Sequence, residues 1–160
     1  MNAARLLALL LLVPSPAWAV LGENLGTLTK RFGKQDQQVR PQKNVAMWSI
    51  ESDDSERIVY TVTFDAKGRS IGEGLKPVKS VPLPKDVAET FIATQLAPYA
   101  AANSTRAVKP GERYRFAGQD FTCAAHELVF VDEANDFMIV WAQAKPGMVM
   151  AVRAAMLTGE

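Results

Sequence analysis

Large apolar side chains occupy every second position from Ile58 to Phe64, which is the most regular pattern in the chain. A period of two, with β-branched residues in between, predicts a strand with one buried face. The mostly apolar segment 45–51 predicts a strand before it. The turn-forming residues 65–68 then predict a hairpin, with residues 69–75 as its returning strand.

Two segments have helical periodicity instead. Between Leu21 and Phe32, apolar residues follow each other at spacings of four, three and four, and Gly33 supplies the usual stop. A second helix is expected from Lys85 to the residues before Pro98. Residues 76–84 between the two regions are rich in proline, so they are expected to form a connector.

The remaining sequence predicts β-structure. Four further strands are expected, within residues 112–117, 121–131, 137–144 and 148–154. The layout predicts an α+β fold in which two halves, 20–75 and 85–160, each contain a helix followed by an antiparallel meander and pack into one domain. Gly72 and Gly74 do not indicate a phosphate loop, because Leu75, Lys76 and Pro77 follow them rather than a helix. Nucleotide chemistry is therefore disfavoured.

Residues 1–19 have the features of an export signal. Arg5 is followed by an apolar run over residues 6–13, and Ala17-Trp18-Ala19 supplies a small-x-small cleavage pattern. As a helix this run rises only about 12 Å, against the roughly 30 Å of a bilayer core. We therefore expect a cleaved signal, a mature chain without a membrane span that begins at residue 20, and a periplasmic or secreted product.

Charge and length narrow the function classes. The chain has 160 residues, with 18 basic and 17 acidic side chains. Arg5 lies in the predicted signal and is removed when the signal is cleaved. The mature chain is thus balanced in charge, which argues against nucleic acid as a partner. About 140 residues suffice for one domain with a single core.

The chain contains one cysteine and one histidine. This excludes an intramolecular disulfide and any metal site built on paired Cys or His ligands, and no cofactor is expected. The apolar sequence around Cys123 favours burial, with an intermolecular disulfide as the alternative. If Cys123 and His126 share one strand, they face opposite sides, which argues against a joint metal site or a nucleophile–base pair.

Acidic residues cluster in two predicted turns, and no catalytic residue is assigned to either. The clusters are Glu51, Asp53, Asp54 and Glu56, and Asp132, Glu133 and Asp136. Solvated turns explain such clusters. Carboxylates from both turns would serve a small periplasmic hydrolase, which is the alternative function.

Arg113 and Arg115 are the candidate binding residues. They alternate with Tyr114 and Phe116, so one face of the predicted strand is cationic and the other aromatic. Arginine and aromatic side chains are frequent anchors of protein interfaces. The alternative is an ordinary amphipathic strand whose aromatic face lies in the core.

The N-terminal half resembles a class of small exported bacterial proteins. The resemblance rests on Leu21-Gly22-Glu23-Asn24, on Arg31-Phe32-Gly33, on the strand with Trp48, and on the hairpin from Tyr60 to Arg69. This helix-plus-β-meander layout is similar to the small lipoproteins of outer-membrane assembly and to β-lactamase inhibitor proteins. The resemblance implies a non-catalytic binding or accessory module of the cell envelope, with an envelope protein as its partner. A homodimer joined through sheet edges is a third possibility.

Overall fold

The computed structural model describes residues 18–36, 44–52, 56–144 and 147–159. Within these ranges the chain forms three α-helices, one short 3-10 helix and nine strands, which confirms the predicted α+β class. The helices are α1 (Leu25–Phe32), α2 (Lys85–Leu96) and α3 (Ala154–Thr158), with the 3-10 helix at Ala97–Tyr99. The strands are β1 (Val45–Glu51), β2 (Arg57–Phe64), β3 (Ser70–Pro77), β4 (Arg106–Val108), β5 (Arg113–Phe116), β6 (Gln119–Thr122), β7 (Glu127–Asp132), β8 (Phe137–Ala142) and β9 (Met148–Val152).

Seven of these strands form one antiparallel sheet, in the order β1-β2-β3-β9-β8-β7-β4. The meander β1–β2–β3 confirms the three strands predicted for the first half. Pairing of Leu75 with Val149 places β3 beside β9, so the sheet runs continuously through both predicted halves. Strands β5 and β6 form a separate hairpin. Of the predicted signal, residues 1–17 lie outside the described residues.

Helix α1 begins at Leu25 rather than at Leu21. The Asn24 side chain accepts a hydrogen bond from Thr27 N at 3.0 Å, which caps the first turn. The residues before it are held outside the helix, because Gly22 N donates to both the carbonyl oxygen and the hydroxyl of Ser70. The C-terminal stop at Gly33 is confirmed by its positive φ of 81°.

Strand β3 extends two residues into the predicted Pro-rich connector. Val78 N donates to Arg57 O, so the nitrogen of the adjacent Pro77 points away from β2. On that side β9 pairs with β3 only as far as Leu75. Pro77 therefore extends the strand without leaving a ladder position unpaired.

The second half contains more elements than its sequence pattern predicts. Strand β4 and helix α3 fall where no element is expected, and the segment 121–131 is divided between β6 and β7. The hairpin turn lies at Ala117-Gly118, with φ values of 52° and 73°, one residue earlier than expected. Two consecutive positive φ values define the tight turn type that suits the twist of a two-residue hairpin.

The two faces of the sheet differ in what covers them. Helices α1 and α2 pack on one face, the helix face, over a core that includes Trp48, Tyr60, Phe91 and Trp141. The β5–β6 hairpin packs on the opposite, outer face over β4, β7 and β8, and its core reaches Val152 and Met150 of β9. Among the described residues no hairpin covers the outer face of β1, β2 and β3, where helix α3 packs against β3 at Gly72. In the described part of the chain, no helix has the length and apolar character needed to cross a membrane.

Candidate functional site

The uncovered half of the outer face contains a shallow groove of about 170 Å³. Its sides are Thr61 and Thr63 of β2 and Met148 and Met150 of β9, and its floor is the backbone of β3. We call this feature the methionine groove. It is about as large as one apolar side chain and it opens to solvent.

Two glycines of β3 create the groove. Gly74 lies opposite Thr61 and Met150, and Gly72 lies opposite Thr63 and Val152, so both belong to the outer face. With no side chain at either position, the β3 backbone is the floor. At Gly72 a Cβ would collide with Met156 Sδ of α3. The Met156 side chain therefore lies directly on the backbone of Gly72 and closes that end of the groove.

The described lining of the groove is mostly apolar, and Lys76 is its one ionisable side chain on the outer face. Glu73 lines it through its backbone only, because its carboxylate lies on the helix face. The side chains of Met148 and Met156, which line the groove, are 39% and 37% exposed. Exposed flexible methionines suit the binding of apolar groups of varied shape.

A second groove of about 390 Å³ lies on the helix face, between the end of α2 and strands β4 and β7. Ala107 and Phe130 form its sheet side, and Tyr99, Asn103 and Thr105 add hydroxyl and amide groups. Among its described lining residues, Tyr99 carries the one ionisable side chain.

Glu73 is buried within a polar cluster on the helix face, where it is 2% exposed. Its carboxylate accepts from Tyr60 OH at 2.9 Å, from Ser70 Oγ at 2.8 Å and from Gln95 Nε2 at 2.9 Å. Burial raises the pKa of Glu73, and the three hydrogen bonds oppose that rise without cancelling it. Burial and the neighbouring Glu73 also raise the pKa of Tyr60, so the phenol stays neutral.

The Glu73 cluster ties together β2, β3, α2 and the chain before α1. Its hydrogen bonds to Tyr60, Ser70 and Gln95 occupy both carboxylate oxygens within the core. Sequence reasoning missed it and considered Glu73 only within a phosphate loop. The sequence did contain a signal for it. Side chains two residues apart on a strand lie on the same face, so Glu73 shares the face of the apolar Leu75.

Asp132, in the second acidic turn, holds the turn together rather than offering a free carboxylate. It is fully buried, and its Oδ2 accepts from Ser104, Thr105 and Asn135 at 2.7, 2.9 and 3.0 Å. Burial alone would raise the pKa of Asp132, but hydrogen bonds from Asn135, Ser104 and Thr105 outweigh it and lower the pKa to about 2. Asp136 caps α3 by accepting from Ala154 N.

The two acidic turns lie at opposite ends of the sheet. Glu51 pairs with Arg57 at the end where Pro77 completes β3, while Asp132 pairs with Phe137 at the end where β9 finishes. Carboxylates that cleave one glycosidic bond stand within about 10 Å of each other. The described flanks of the two turns do not meet that condition, and Asp53 and Asp54 lie outside the described residues.

Cys123 and His126 do not lie on one strand, as the sequence suggested, but in the turn between β6 and β7. Cys123 is buried at 1% exposure, and burial raises the pKa of its thiol. His126 is exposed. The two side chains are not brought together, and no group of three or more potential metal ligands occurs among the described residues.

Arg113 and Arg115 lie on β5 with exposed side chains, while Tyr114 and Phe116 between them are buried. The aromatic face packs into the core under the hairpin, as in the ordinary amphipathic strand. Arg115 lies across from Asp120 on β6, so the arginine face of the hairpin also carries a negative charge.

Comparison of the chain with protein-family models, with curated proteins and with solved structures gave no match.

Proposed function

We propose that this protein is an exported, non-catalytic binding module of the cell envelope, and that the methionine groove receives an apolar side chain of a partner protein. The observation that carries the proposal is the partly exposed backbone of Gly74 beside the exposed side chains of Met148 and Met156, with Met156 covering the buried Gly72. Glycine permits a ligand to approach the main chain closely. Two exposed methionines meet at this groove, and flexible methionines adapt to apolar groups of different shape.

The chemistry around the groove favours binding over catalysis. Of the described lining residues, Lys76 is the one whose ionisable side chain faces the groove, whereas acid–base catalysis needs a positioned proton donor and acceptor within reach of one substrate. The buried carboxylates Glu73 and Asp132 are occupied by internal hydrogen bonds. The proposed partner is an envelope protein because the N-terminal segment has the pattern of an export signal.

Site-specific photocrosslinking tests the proposal. A photoreactive side chain at Lys76, on the groove rim, is expected to form an adduct with an envelope protein when the full-length chain is expressed in a bacterial host. The matched control is Lys85, an exposed lysine on α2 on the other side of the sheet. Equal adducts from both positions, or none from Lys76, contradict the proposal.

A substitution then connects the adduct to the groove. Thr61→Lys places a charged chain along the groove wall and is expected to abolish the Lys76 adduct, because burial of the lysine charge against an apolar partner is unfavourable. Thr90→Lys makes the same change at an exposed position of α2 and should leave the adduct intact. Unchanged crosslinking in Thr61→Lys would place the partner elsewhere.

A further inference from the structure

The residues directly before α1 belong to the folded core. Trp18 is 5% exposed and Ala19 is fully buried. The Trp18 ring lies edge-on to Tyr60 and Phe91, with ring centroids 5.9 and 6.4 Å apart, and it stacks on Phe32 at 6.3 Å. The indole thus fills the space where α1, α2 and the sheet meet.

The main chain of this segment is held by a buried amide. Gln95 Nε2 donates to Ala19 O at 2.8 Å, and Gln95 Oε1 accepts from Leu21 N at 3.2 Å. The same Nε2 donates to Glu73 Oε2 at 2.9 Å. Loss of Ala19 would therefore leave a buried N–H of Gln95 without its acceptor, which is costly in a core.

A cut after Ala19 would discard both the indole and the carbonyl that Gln95 needs. A second bond has the same small-x-small pattern, since Ser15-Pro16-Ala17 precedes Trp18. We propose that signal cleavage occurs between Ala17 and Trp18, so that Trp18 is the first residue of the mature protein. This inference depends on the export that the proposed function includes.

Identification of the first residue of the exported protein tests the proposed cleavage site. The full-length chain is expressed in a bacterial host, and the processed form is identified by intact mass and N-terminal sequencing. A first residue of Trp18 is expected. A first residue of Val20 overturns the cleavage proposal but leaves export standing, whereas an unprocessed chain retained in the cytoplasm overturns both.

The contribution of Trp18 and Ala19 to the stability of the core is tested separately, with three mature chains. They begin at Trp18, at Trp18 with Trp18→Ala, and at Val20. We expect the unfolding equilibrium constant to rise by about 150-fold to about 5,000-fold for Trp18→Ala and further for the chain that begins at Val20. Val20→Ala, at a half-buried side chain of the same segment, is the control with little change. Equal stability of all three chains would contradict the inference.

Discussion

Replacement of Glu73 by glutamine is expected to change how stability depends on pH. Glutamine has nearly the same shape, its Nε2 can donate to Ser70 Oγ, and its Oε1 can accept from Tyr60 OH and Gln95 Nε2. The substitution keeps the hydrogen-bond positions of the cluster and removes the ability to ionise. Any difference between the two proteins that varies with pH therefore reports the titration of this one carboxyl.

The direction in which stability changes with pH follows from the raised pKa of Glu73. Below the pKa of the unfolded chain, about 4.3, both states hold the proton and the stabilising contribution of Glu73 is complete. As pH rises above that value, the unfolded chain releases the proton while the folded protein keeps it. This contribution is lost as pH rises towards the folded pKa. One proton of difference changes the folding equilibrium about tenfold per pH unit.

Urea unfolding followed by tryptophan fluorescence, at steps from about pH 4 to about pH 8, measures the effect. Glu73→Gln and the wild type should be similar in stability at the acid end, and the variant should become progressively more stable relative to the wild type above it. Glu133→Gln makes the same chemical change at an exposed turn and controls for the loss of one charge. A variant that is less stable by a constant amount at every pH would refute the reasoning.

Four further predictions concern packing, turns and buried groups. Phe91→Ala should reduce the free energy of unfolding by about 3–5 kcal/mol, because Phe91 is fully buried, whereas Val78→Ala at a 54% exposed position should change it by less than about 0.5 kcal/mol in the same urea assay. Ala117→Asn should raise the thermal stability by about 0.5–1 kcal/mol, since asparagine tolerates the positive φ of 52° better than alanine, and an unchanged melting temperature would contradict this. Because the Asp132 pKa is lowered to about 2, its stabilising contribution is present above about pH 4 and lost as pH falls towards 2, and acid titration of Asp132→Asn should lack that step. The Cys123 thiol should react with a water-soluble reagent only as fast as the fold opens, so a burst of labelling without denaturant would disprove its burial.

The elements with regular periodicity were predictable from sequence. Strand β1 has the predicted bounds and β2 begins only one residue early, because alternating burial leaves a period-two pattern that local reasoning can read. Helix α2 was found for the same reason, through its apolar spacing. Helix α1 was extended too far, because Leu21 continues the apolar spacing while tertiary hydrogen bonds hold its main chain outside the helix.

The methionine groove was not predictable in the same way. It depends on the pairing of β3 with β9. Local patterns in a single sequence do not indicate which distant strands become neighbours in the sheet. Gly72 and Gly74 were visible, but only the sheet order turns two missing side chains into the floor of a groove. The short strand β4 was missed because its three residues carry no periodic pattern and are held by pairing with β7.

The pairing of β3 with β9 also has a consequence for how the protein folds. These two strands are central in the sheet, yet they are separated by about half the chain length in sequence. Local hairpins form early, whereas contacts of such high sequence separation are slow because a long loop must close first. The sheet therefore cannot be completed until β9 is available to pair with β3. Until then β1, β2 and β3 can form only a local meander with one open edge, so the late pairing of β3 with β9 is the step that joins the two parts of the sheet.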